Sequence, residues 1–141
     1  MNQEPSPAAV SPAARWASYV MSALPVLLLL FSAVMKLIRH ASVVEGMPQM
    51  GYPVWLAAPI GAVELLCTVL YLIPRTAVLG AILLTGYLGG ATATHVRMED
   101  PNFHMAVIIG VMLWGGLYLR DPRIRDLIPL RRQGAAKEDS R

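Results

Sequence analysis

Four stretches of this chain are long, apolar and almost free of charge, more hydrocarbon than a soluble domain of 141 residues ordinarily hides. From Tyr19 to Met35 there is no charged side chain, from Met50 to Ile73 only Glu64, and from Thr76 to Thr94 none. A fourth run, Phe103 to Leu119, is shorter and carries aromatic residues toward both ends, Phe103 at one and Trp114 and Tyr118 near the other. The hydrocarbon core of a bilayer is about 30 Å thick and takes roughly 20 apolar residues per helix, so each run is long enough, or nearly so, to cross it. A composition of 55% hydrophobic against 15% charged residues points the same way.

The expected fold is therefore all-α: a polytopic membrane protein built as an antiparallel bundle of four transmembrane helices, with spans at about 16–37, 54–73, 76–95 and 103–119. Only Pro74-Arg75 separates the second span from the third, which forces them to be antiparallel neighbours, and Pro74 cannot continue the preceding hydrogen-bond ladder. Residues 1–15, rich in Pro, Ala and Ser, are expected to be a disordered tail. That tail is poor in positive charge and no Ala-x-Ala site follows the first run, so the run is expected to stay as a helix and not to be removed as a signal. After the last span, residues 120–132 alternate Arg120, Arg123, Arg125, Arg131 and Arg132 with Ile124, Leu127 and Ile128, the pattern of a basic amphipathic segment on anionic headgroups. Residues 133–141 are expected to be disordered.

The same charges orient the bundle. With four spans, nine basic residues (Arg15, Arg75, Arg120, Arg123, Arg125, Arg131, Arg132, Lys137 and Arg141) fall on one side, against Lys36, Arg39 and Arg97 on the other. The positive-inside rule then puts both termini in the cytoplasm. Basic residues gathered at helix ends follow membrane topology and do not make a groove-reading face, which removes nucleic acid as a partner despite the net charge of +3. The lone Cys67 rules out an internal disulfide or a C-x-x-C relay. On the far side, Val43, Val44, Met47 and Met50 have the spacing of a short interfacial helix, although a plain loop fits the 40–53 connection equally well.

Lipid tails are as apolar as leucine, so small residues mark where helix backbones can approach. Gly86, Gly90 and Thr94, with Gly89 and Ala93 beside them, form such a stripe on the third span; Ala57 with Gly61, Ala58 with Ala62, and Gly110, Gly115 and Gly116 supply others. They are expected to be seams within one bundle, with a homo-oligomer face as the alternative.

Glu64 is the most informative residue, because an ionisable group deep in a span is costly unless paired, neutralised or hydrated. Its candidate partners sit in the same half of the bundle: Ser32 and Lys36, one turn apart on the first helix, and Thr94, His95 and Arg97 at the end of the third. Lys36 or Arg97 has the reach to descend toward it, or to snorkel to headgroups instead. His95 and His104, with Glu99 and Asp100 between them, are weak metal candidates with no recognised ligand spacing, so no metal is assigned. No histidine lies at mid-membrane depth to ligate a haem, and the chain has no phosphate loop or nucleophile elbow.

Ser32-Ala-Val-Met-Lys-Leu37, followed by VVEGMPQMGYP, by VELLCTVLYLIPRTAVLGAILLTGYLGGATATHVR and by LWGGLYLRDPRIRDLIPLRR, resembles the DoxX-like family of small bacterial membrane proteins, most specifically over Gly86 to Arg97. The resemblance implies a four-helix bundle in the cytoplasmic (inner) membrane, with Lys36, Glu64, His95 and Arg97 as functional positions and no catalytic role carried over. Some members are subunits of a thiosulfate-to-quinone oxidoreductase. Three functions stay open on these residues: a membrane subunit of an oxidoreductase system, with a quinone or other small lipophilic molecule at the polar cluster and a partner oxidoreductase subunit; a non-enzymatic solute binder or carrier; and a scaffold whose polar groups only fix helix pairing.

Overall fold

The computed structural model describes residues 11–121 together with 123 and 124. Helix α1 runs Pro12–Leu37, α2 Ala41–Gln49, a 3₁₀ turn Val54–Leu56, α3 Ala57–Leu72, α4 Ala77–Arg97 and α5 Phe103–Arg120. Four of these segments, Arg15–Leu37, Val54–Leu72, Ala77–Arg97 and Phe103–Arg120, are long and apolar enough to cross a membrane. The helices close a ring in which α1 packs on α3, α3 on α4, α4 on α5 and α5 back on α1, an up-down-up-down bundle.

The α1–α3 connection and the α4–α5 turn share one end, called the loop end below; the α3–α4 turn, the start of α1 and the end of α5 share the other, the tail end. Helix α1 starts at Pro12, four residues before the expected span; proline suits a first helical turn, whose N–H groups have no partner inside the helix. The expected disordered tails and basic segment fall mostly outside the described residues.

The bundle is turned inside out relative to a soluble protein. Its core is narrow and made of Val26, Leu29, Tyr71, Ala77, Ala81, Leu84, Leu113 and Leu117, while Leu24, Leu27, Phe31, Leu66, Ile82 and Val111 point outward. In water that exterior would drive aggregation; in hydrocarbon it costs nothing, since no hydrophobic force distinguishes lipid from leucine. Packing therefore relies on close approach. A methyl group at Gly61 would stand 2.8 Å from Lys36 Cβ, one at Gly116 would collide with Ser22 on α1, and one at Gly80 would enter the backbone of Tyr71 and Leu70. The seams expected at Gly61 and Gly116 are thus within the bundle. The stripe on α4 is not: nothing lies within 4 Å of where a side chain would begin at Gly86, Gly89 or Gly90.

The α3–α4 connection is stitched by Thr76, whose hydroxyl donates to Leu70 O at 2.8 Å across the Pro74 break. Near the same end, the Tyr71 hydroxyl donates to Leu113 O on α5 at 2.8 Å, and the Ser22 hydroxyl on α1 meets it at 3.0 Å. Three helices share that one phenol oxygen, and the Arg120 guanidinium lies 5.0 Å over the ring. Tyr71→Phe leaves a buried hydroxyl and a carbonyl without this partner and is expected to cost about 1–3 kcal/mol in detergent unfolding. A variant as stable as the parent would show that the triple junction contributes nothing.

Candidate functional site

Glu64 sits on the buried face of α3 with Ala57, Gly61, Cys67, Thr68 and Tyr71. It lies seven residues beyond Ala57, about 10 Å below the loop end at 1.5 Å per residue. Its side chain is 2% exposed, too enclosed for bulk water to solvate the carboxylate. Lys36 supplies the compensation, with Nζ donating to Glu64 Oε2 at 2.9 Å. Ser32, one turn earlier on α1, accepts from Lys36 Nζ and donates to the same carboxylate oxygen at 3.3 Å. Tyr87, on the buried side of α4, neighbours Glu64. Thr68 donates to the Glu64 backbone carbonyl at 2.7 Å.

Local sequence explains why these groups meet. Ala33 and Gly61 let α1 and α3 approach so closely that a methyl at Gly61 would stand 3.0 Å from Ala33 O. At that separation the Lys36 stem spans the gap, and with 21% of its side chain exposed it remains reachable from the loop end. The result is a charge pair inside a low-dielectric bundle, one member sealed and the other at the edge. Among the described residues no buried side-chain nitrogen or oxygen lacks a hydrogen-bond partner.

The other expected members of the cluster go elsewhere. Arg97 does not descend to Glu64: Nη2 donates to Met50 O at 2.7 Å, and the guanidinium lies 5.9 Å over the Tyr52 ring. Thr94 donates to Gly90 O at 3.0 Å, and Tyr52 meets its hydroxyl at 2.9 Å. Together Arg97 and Thr94 fasten the segment after α2 to the end of α4. The 40–53 connection, open between helix and loop in the sequence, is helical over Ala41–Gln49, and Met47 is its buried anchor.

His95 pairs through Nδ1 with Asp100 Oδ2 at 2.8 Å, whereas His104 turns to Pro101 O at 2.6 Å and stacks on Phe103. Each of the weak metal candidates His95 and His104 thus has a local partner of its own, and among the described residues no three His, Cys, Asp or Glu side chains gather around a common point. The Asn102 backbone N–H, followed by the His95 ring, holds the exposed Asp100 carboxyl below its usual value of 3.8. A depressed carboxylate pKa contributes stability above the ordinary value that disappears as pH falls through the folded one. Amides of the α4–α5 turn should therefore exchange faster at pH 3 than at pH 5 after correction for intrinsic rate, and Asp100→Asn should abolish the difference.

Tyr87 was not singled out from sequence. Its signal was available: it falls in register with Leu84, Leu88 and Ala91, the stripe of α4 that packs on the core.

The model of the DoxX-like family matches residues 20–116, from the third turn of α1 to the last turns of α5. No curated protein and no solved structure gives a match.

Proposed function

The chain is a membrane protein of the DoxX-like family, and on that premise we propose that it binds a small lipophilic molecule bearing a hydrogen-bond acceptor, of the quinone type, at the loop end of the bundle, as the membrane subunit of an oxidoreductase system. The observation that supports this reading is the sealed Glu64 carboxylate paired to a lysine that remains accessible. An ammonium at the edge of a dry cluster is a strong donor toward a ligand carbonyl, because hydrogen bonds to ionised groups strengthen where water is excluded. Glu64, Ser32 and Tyr87 then hold or pass a proton behind it. Reducing equivalents would come from a partner subunit.

The scaffold reading keeps one specific observation: every buried polar group described is already satisfied within the chain. Thermal stability of the detergent-purified protein with a panel of quinones separates the two. Ligand binding predicts that a quinone raises the melting temperature of the parent and not of Lys36→Met/Glu64→Leu, a variant that removes both charges together. If no quinone shifts either protein, the cluster is structural and the proposal fails.

A further inference from the structure

A second feature, independent of the ion pair, lies on the outer face of α4 and α5. There the helices diverge around an open groove of about 1030 Å³, lined on α4 by residues from Thr85 to Val96, on α5 by residues from Ala106 to Tyr118, and closed at the tail end by Ile124. The hydroxyls of Thr85 and Thr92 and the indole N–H of Trp114 are spent internally. Thr85 Oγ1 donates to Ala81 O at 2.8 Å and accepts from Trp114 Nε1 at 2.8 Å, and Thr92 Oγ1 donates to Leu88 O at 2.8 Å. Whatever lies in the groove therefore meets mostly hydrocarbon. Gly89 supplies depth, with nothing within 4 Å of where its side chain would begin, and at Gly110 only Leu88 Cδ1 comes near, at 3.6 Å. The α5 wall from Ala106 to Tyr118 rises about 18 Å, a little more than one leaflet of a hydrocarbon core about 30 Å thick.

Charge distinguishes the two ends. The α4–α5 turn at the loop end carries Glu99 and Asp100, which disfavour an anion. At the tail end Arg123 is exposed beside the buried Ile124, its backbone N–H fixed by Asp121 Oδ1 at 3.0 Å while its side chain is turned outward. Arg75, in the α3–α4 turn, is exposed at the same end.

We propose that this groove is a specific site for one anionic membrane phospholipid, with an acyl chain along α4 and α5 and the phosphate at Arg123. The predominantly apolar walls disfavour a polar ligand in the groove itself, while the arginine selects the headgroup.

Native mass spectrometry of the full chain, released from micelles containing equal phosphatidylglycerol and phosphatidylcholine, tests it. One phosphatidylglycerol should stay bound to the parent. Gly89→Leu and, separately, Gly110→Leu place a side chain in open groove space and should weaken retention about tenfold. Arg123→Gln should keep a lipid bound but abolish the preference for phosphatidylglycerol. Equal retention of both lipids by the parent, or unchanged retention in both leucine variants, would overturn the proposal. So would a lipid-free dimer that either leucine variant dissociates, because a second copy would then be the occupant.

Discussion

Lys36→Met is expected to lower the unfolding free energy of the bundle by about 3–5 kcal/mol, the cost of leaving one member of a buried ion pair alone. The value should fall toward the lower end, because unfolded helices that remain in a membrane find other polar partners. Removing both charges is a different perturbation. In Lys36→Met/Glu64→Leu neither desolvation cost nor Coulomb gain remains, and stability should return to within about 1 kcal/mol of the parent. Unfolding in mixed micelles, followed by circular dichroism for the parent, both single variants and the double, gives the coupling directly. If the double variant is no better than Lys36→Met, the pair at 2.9 Å is not what the single variant breaks.

The second large effect is expected at Gly80. At Gly61 and Gly116 the atom nearest a new methyl group belongs to a side chain, and main-chain atoms stay 3.0 Å or more away; here the methyl would come within 2.7 Å of the main chain of Tyr71 and Leu70, which cannot rotate aside. Gly80→Ala should cost about 3 kcal/mol or more despite the better helix propensity of alanine. Gly86→Ala, on the same helix but with open space around it, should be neutral or slightly stabilising. The contrast controls for any general effect of replacing glycine in α4, and two equal melting temperatures would refute the close-packing account.

How much of this was legible beforehand depends on whether a single helix carried the information. Span positions were, because charge-free length is a property of one segment, and α3, α4 and α5 begin and end within a few residues of expectation. The pairing of Lys36 with Glu64 was legible as one of two options. Choosing between Lys36 and Arg97 required knowing that Gly61 brings α1 against α3 while the end of α4 is occupied by Met50 and Tyr52. Those are relations between segments, invisible to periodicity. The glycines show the same limit: Gly61, Gly80, Gly86 and Gly116 look alike in sequence, yet three face a neighbouring helix and one faces outward. Tyr71 was unremarkable in sequence for a related reason, since its value lies in reaching Ser22 and Leu113, 49 and 42 positions away.

The closed ring of helices also has a consequence for biosynthesis. Helix α1 leaves the ribosome before α3, α4 and α5, yet one of its two flanks is Gly116 and its neighbours on α5, which is made after the other three. Helices α3 and α4 can seat against each other as a hairpin soon after the Pro74 turn emerges, but the seam that seals Ser18 and Ser22 waits until synthesis has passed residue 116. Until then a nascent intermediate exposes two serines and the phenol of Tyr71 to the membrane. A chain arrested before α5 should therefore remain beside the insertion machinery, and completion of α5 is the event that releases it.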